Sequence, residues 1–410
     1  MDPFEKLALI SQQTALESSD EVAGSGTDSI RRQACGYTAA DLRRRFGSDP
    51  LKTRLTIRNH EIPIHMAAMP GGRRIPIIKA MLTTACERDC LYCPFRARRN
   101  ARRLTFKPEE LARTFHAVYR SGLADGIFLS TGIFAGGVNT QNKLLDSAEI
   151  LRRRLDYRGY LQIKIMPGAE RGQVLQAMSL ADRVSVNLEA PNETRLKCLA
   201  PQKEFTRELL DPLKWVEEIR KTLPAYAGWR GRWPSTSTQF VVGAAGESDL
   251  EILDTVTHLF RSLRLERAYF EAFTPVENTP LENHPAEDRR RQRRLYEASY
   301  LLRDYGFDLE DMPFGKSGRL PLDIDPKRAH AEIALRNAPL DLNLADPLEL
   351  LRIPGIGPRG AQAILRSRRE HRLRDLRDLR RLGVQSHRAA PFILLDGHRP
   401  PHQLSLMPDD

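Results

Sequence analysis

From residue 75 onward, short apolar runs alternate with longer amphipathic ones six times over. The runs at 75–82, 126–131, 160–166, 183–189, 236–243 and 268–273 have the length and composition of strands. Those at 108–121, 141–155, 171–179, 205–223, 248–263 and 287–304 carry apolar residues at helical spacing. Regular alternation of this kind implies a parallel sheet with helices outside it. Six units predict an α/β protein built on an incomplete, TIM-like (β/α)6 barrel. Such a barrel carries its chemistry at the C-terminal ends of the strands.

The first of those ends runs into Cys86-Glu87-Arg88-Asp89-Cys90-Leu91-Tyr92-Cys93. Three thiols at C-x3-C-x2-C spacing form a soft-metal site, suited to zinc, Cu(I) or an iron–sulfur cluster. Structural zinc and ordinary four-iron clusters take four protein ligands, and the chain's other cysteines are Cys35 and Cys198 alone. Three thiolates on a four-iron cluster leave one iron open to a small molecule. A zinc knuckle completed by His65 or Cys35 is the competing reading. The motif resembles that of the radical S-adenosylmethionine (radical SAM) superfamily. The resemblance implies a [4Fe-4S] cluster on Cys86, Cys90 and Cys93, with S-adenosyl-L-methionine (SAM) chelated to the open iron. It further implies cleavage of SAM to a 5′-deoxyadenosyl radical, and an electron donor such as flavodoxin or ferredoxin.

Other strand ends extend the resemblance. Ser130-Thr131-Gly132 stands where the superfamily commonly has Gly-Gly-Glu against the methionine amine, and Tyr92 adjoins the third cysteine. In Val184-Ser185-Val186-Asn187-Leu188-Glu189 the alternation predicts Asn187 and Glu189 on one strand face, similar to the family's ribose motif. The alternative there is a buried hydrogen-bonding pair. Gly243 and Gly246 fall in a partial match to the family's adenine-supporting element; by themselves they signify a turn into a helix capped by Ser248 with Glu251. Beyond the cysteines, Arg96, Arg98, Arg99, Arg102 and Arg103 leave the proposed mouth. They are either a solvated face or guanidiniums placed to grip phosphates.

Nearer the C-terminus, Leu350-Leu351-Arg352-Ile353-Pro354-Gly355-Ile356-Gly357-Pro358-Arg359-Gly360-Ala361 sets two apolar helical segments around a glycine turn. Backbone N–H groups freed by such a turn make an anion nest. The unit recurs 28 residues on, where Leu379–Gln385 aligns with Leu351–Gly357 and Gln385 replaces the second glycine. This resembles the helix-hairpin-helix of DNA repair and uptake proteins, which implies phosphate contacts from Gly355, Ile356, Gly357, Arg359 and Gly360. A protein-docking hairpin is the competing reading. Between positions 336 and 400 thirteen arginines and no lysine stand against seven acidic residues, a net +6 within a whole-chain +11.

The expected organisation is an N-terminal extension (1–74, mobile at 17–28), a barrel (75–305), a linker (306–339) and a small all-α tandem hairpin domain (340–398). Taken together, the two halves resemble the DNA modification and repair radical SAM subgroup, associated with a uracil-DNA-glycosylase-like partner. That implies radical chemistry on DNA. An RNA- or tRNA-modifying enzyme and a non-radical iron–sulfur repair factor or redox sensor are the alternatives. No apolar run is long enough for a membrane span and no secretory leader is evident, so a reducing cytoplasm is expected. Clustered, sparse cysteines argue in the same direction.

Overall fold

The computed structural model describes residues 1–14, 54–57, 60–68 and 74–401. The expected mobile stretch 17–28 and Cys35 lie outside them. The chain divides into two compact units: Met1–Glu247 with Arg261–Glu287, and Ser248–Phe260 with Asp288–Asp410.

In the first unit, β1 (Arg54–Ile57) and β2 (His60–Pro63) form an antiparallel pair. The principal sheet has seven strands in sequential order: β3 (His65–Ala68), β4 (Arg74–Met81), β5 (Gly126–Ser130), β6 (Tyr160–Lys164), β7 (Arg183–Ser185), β8 (Ser235–Val242) and β9 (Arg267–Ala272). From β4 to β9 every neighbour is parallel, as the alternation requires. The sheet is a curled half-barrel. β3 adds an antiparallel seventh strand at the β4 edge, from a stretch too mixed in sequence to read as a strand.

β4 is buried along nearly its whole length, which its apolar run anticipates for a strand covered on both faces. The N-terminal helix Pro3–Thr14 buries Leu7 and Ile10. Its Ser11 hydroxyl donates to the Lys79 carbonyl (3.1 Å), and Lys6 pairs with Glu110 at 2.6 Å. Outside the sheet, Pro108–Arg120 presents Leu111, Phe115 and Val118 inward at helical spacing. The expected strand at 183–189 is regular only through Ser185. Thereafter the chain bends, with Glu189 at a left-handed φ of 65° and bridged to Phe240. Regular alternation therefore ends with the strand, although Asn187 and Glu189 still line one cavity.

The second unit contains Arg289–Asp304, Pro326–Ala334, Pro347–Arg352, Pro358–Glu370, Leu376–Arg381 and Ser386–Ala389 as helices. Position 306–339, expected as a linker, includes one of these helices, and its Ala331 and Leu335 join the buried cluster around Leu350, Ile353, Ile364, Leu379 and Phe392. Nor is the C-terminal module all-α. β10 (Leu340–Asp341) pairs in parallel with β11 (Ile393–Leu394), a ladder of two residues that the helical pattern conceals. Deep in this unit Arg291 and Asp249 meet at 2.7 Å, each side chain 1% exposed. The second Asp249 oxygen accepts from the Leu320 amide at 2.8 Å, completing the pair's hydrogen bonding.

Within the C-terminal module the 28-residue repeat has a geometric counterpart. Gly355 and Gly383, in register across the repeat, both take left-handed φ (82° and 77°). A Cβ on Gly355 would lie 2.5 Å from the Gln385 carbonyl. The Gln385 amide donates to the Gly355 carbonyl at 3.3 Å, so the two turns pack as a pair.

Candidate active site

The three cysteines occupy the loop after β4, and a web of backbone contacts fixes that loop. The Cys93 amide donates to the Cys90 carbonyl, and the Phe95 amide to the Cys93 sulfur at 3.4 Å. Leu91 donates to Leu199 at the end of the helix Glu193–Leu199. The Glu87 carboxylate accepts from the Ala135 and Gly136 amides, both at 3.1 Å. Arg88 pairs with Glu208 at 2.5 Å.

Arg103 closes the loop at its far end. Its guanidinium donates to four carbonyls: Thr84 (2.8 Å), Phe95 (2.9 Å), Arg96 (2.8 Å) and Arg99 (3.1 Å). A planar fork with five donors suits such a multiple clamp, and a lysine does not. Arg99 likewise donates to Glu277 and Pro94 carbonyls, and Arg96 to that of Asp89. Much of the arginine run is thus engaged with backbone. Arg98 and Arg102 remain exposed.

Gly132, at the end of β5, lies against this loop. Its amide donates to the Thr83 carbonyl at 2.7 Å, and an added Cβ would fall 2.2 Å from the Ala85 oxygen and 3.2 Å from the Cys86 Cβ. Backbone must move to admit a methyl there. Gly132→Ala is therefore expected to shift the cysteine loop and cut iron incorporation severalfold. Iron and sulfide assays after anaerobic reconstitution check this; full loading in the variant would refute it.

One cavity gathers most of the expected residues. Cys86, Cys90, Tyr92, Cys93, Ser130, Thr131, Gly132, Asn187 and Glu189 all line it. Gly243 and Gly246 do not. Their loop is folded on Glu247 instead, whose carboxylate accepts from the Gly243 (2.6 Å) and Ala245 (3.1 Å) amides. Cys198 is exposed, its thiol near the Thr194 carbonyl. Among the described residues, no three His, Cys, Asp or Glu converge as ligands of a single ion. The sulfurs share the cavity wall.

Lys203, Lys164, Gln239 and Glu271 also line the cavity, and sequence reading missed them. Lys203 is the most consequential. It is buried against Glu189 at 3.2 Å, with side-chain exposures of 8% and 6%. Burial opposes its charge, yet Cys90, Glu189 and Cys93 outweigh burial and hold its pKa above the ordinary lysine value. Burial likewise opposes the Glu189 carboxylate, but Lys203, Lys164 and a hydrogen bond from Tyr92 keep it below the usual range. Burial pushes the Cys90 thiol up, against the pull of Lys203. Asn187 donates to Gln239 at 3.1 Å.

The donor set fits the implied groups. Three thiols on a clamped loop would hold a four-iron cluster and leave a corner open. A buried cation beside Cys90 and Cys93 favours the anionic state of such a cluster. Tyr92, Asn187 and Glu189 offer polar atoms across the same space. When bound, a reduced cluster and SAM supply one-electron abstraction of a hydrogen atom from substrate.

Residues 81–259 match the model of the Radical SAM superfamily. No curated protein sequence matches the chain. Among solved structures it is similar to the FeFe-hydrogenase maturase HydG from Carboxydothermus hydrogenoformans, at 16% identity and TM-score 0.44, covering 55% of this chain and 51% of that one. Methylornithine synthase (PylB) is similar at 14% identity and TM-score 0.43, covering 62% and 67%. The radical SAM methyltransferase TsrM from Kitasatospora setae is similar at 16% identity and TM-score 0.36, covering 50% and 38%. The chain spans about half the length of the HydG structure it matches.

Proposed function

We propose that this protein is a radical SAM enzyme, using a [4Fe-4S] cluster and SAM, and that it acts on DNA held by a C-terminal tandem helix-hairpin-helix module. In this reading Cys86, Cys90 and Cys93 hold the cluster, and Tyr92, Ser130, Thr131, Gly132, Asn187 and Glu189 receive SAM. The observation that carries the nucleic-acid assignment is the paired glycine turns, Gly355 and Gly383, both left-handed and in register across the repeat. Each admits a sharp turn; in the second, the Gly383, Val384 and Gln385 amides already donate to the Arg380, Leu379 and Gly355 carbonyls, so the phosphate contact is assigned to the first. The helix Pro358–Glu370 starts at Gly357 with no side chain capping it. The first-turn amides of Arg359 and Gly360 are then suited to a phosphate oxygen.

Charge supports the same assignment. Arg359, Arg366 and Arg369 are exposed along that helix. Other arginines of the module serve the fold: Arg368 donates to the Leu342 and Ala345 carbonyls, and Arg352 pairs with Asp311 at 2.9 Å. Backbone contacts position a duplex without reading its sequence. A base must leave the stack to reach a barrel pocket, so a flipped or single-stranded nucleotide is the implied substrate. An external reductant is required, and a uracil-DNA-glycosylase-like partner belongs to this proposal. Among the described residues, no helix is long and apolar enough to cross a membrane.

The test pairs binding with turnover. Full-length protein is titrated with duplex DNA, single-stranded DNA and tRNA across a salt series, with Arg359→Glu, Arg366→Glu and Arg369→Glu singly and combined. Loss of each phosphate contact is expected to flatten the salt slope by about 0.9. In parallel, 5′-deoxyadenosine is measured by mass spectrometry with each nucleic acid present. Tighter binding and stimulation by tRNA would transfer the assignment to RNA. Turnover without retention of any nucleic acid would sink it.

A further inference from the structure

Below the cofactor chamber the half-barrel holds a second cavity of about 70 Å³. Its polar lining includes His65, Lys79, Gln162, Ser185, Ser237 and Tyr269. Asn187 and Gln239 line both cavities, and their 3.1 Å hydrogen bond stands between the two. Barrel interiors are ordinarily packed with branched apolar side chains. This one is not.

Three polar atoms here are buried with no hydrogen-bond partner among the described residues: Ser185 Oγ, Ser237 Oγ and His65 Nε2. Ser185 and Ser237 are directly paired across β7 and β8, 4% and 0% exposed. Buried hydroxyls are rarely left without partners, because the loss of hydration goes uncompensated. Three such atoms around one void mark the place of an occupant.

The lining also indicates what that occupant is. Lys79 contributes an ammonium at 7% exposure, and no described lining residue is a carboxylate. The serine hydroxyls and the amide of Gln162 can all donate. Arg183 stands just beneath, donating to the Tyr269 hydroxyl at 3.0 Å. Thr238 completes the polar lining, and Met66, Ala67, Ile77 and Phe128 are its apolar walls. We infer that this lower compartment binds a small oxyanion, the carboxylate or phosphate group of a small molecule, held by Ser185, Ser237 and Lys79. This site is separate from the cluster, and its existence does not depend on the DNA assignment.

The experiment uses the full-length protein without reconstitution, so its readout is independent of turnover. Sodium acetate and inorganic phosphate are each titrated at constant ionic strength, following heat release and melting temperature. One of the two is expected to bind and raise the melting temperature. Ser185→Ala with Ser237→Ala should weaken that binding at least tenfold, and Lys79→Met should abolish it. Binding of acetate alone identifies a carboxylate ligand, and of phosphate alone a phosphorylated one. Should the lysine variant fail to fold, the serine pair still decides, since alanine fits the same space. If neither anion binds, or the double alanine variant binds undiminished, the compartment holds only water and the inference is wrong.

Discussion

Arg103→Ala is expected to strip the protein of its cluster although no cluster ligand is touched. Four carbonyls, from Thr84, Phe95, Arg96 and Arg99, converge on one guanidinium. A hydrogen bond from a charged donor contributes about 1.5–3 kcal/mol, so losing the set should weaken cluster retention at least roughly a hundredfold. Arg103→Lys should recover only part of this, because an ammonium cannot span four acceptors in one plane. Iron content and the electron paramagnetic resonance signal of reduced protein report the outcome. The barrel's own melting transition should move little, since the clamp closes a loop rather than the sheet. A variant with normal iron content would show that the cysteines hold the loop unaided.

The second large effect is expected at Lys203. Replacing it with methionine leaves Glu189 buried without its nearest cation, and removing one partner of a buried pair costs about 3–5 kcal/mol. Lys164 and Tyr92 remain, which places the expected loss toward the lower end. Glu189→Gln in the same chain removes the stranded charge. The double variant should therefore recover much of the stability, giving a clear coupling energy in the cycle. On the proposed role of Glu189, affinity for SAM should stay low in both, because the carboxylate has lost its buried lysine partner in one and is absent in the other. If Lys203→Met melts like the parent protein, the ion pair is not a structural element of the site.

Sequence alone made the barrel legible because most of its parallel strands are short, largely buried segments, and period separates them from the helices. The cysteine motif was legible because its chemistry depends on spacing along one loop. Lys203 was not. It follows a short helix more than a hundred residues after Cys90, and only the curling of the sheet brings it beside that thiol. Arg103 was visible but ambiguous: a guanidinium reaching backbone carbonyls and one reaching phosphates look identical in a run of arginines. Gly243 and Gly246 show the reverse error. Their spacing matched a cofactor element, but Glu247 takes the Gly243 and Ala245 amides of that loop, and a nearby carboxylate cannot be recognised as an internal anion from composition. The two-residue ladder β10–β11 is too short for any periodicity to register.

The assignment of Ser248–Phe260 to the C-terminal unit, with Arg261–Glu287 returning to the first, means that the polypeptide passes between them three times. During synthesis the sheet cannot gain its final strand until a stretch destined for the other unit has already left the ribosome. Domains that fold as contiguous blocks can mature one after another; here the two units are interleaved along the chain. For anyone seeking the arginine-rich module in isolation, a truncation starting after position 305 would leave behind Asp249 and its partner Arg291 alike. A workable fragment has to be stitched from two separate pieces of the gene.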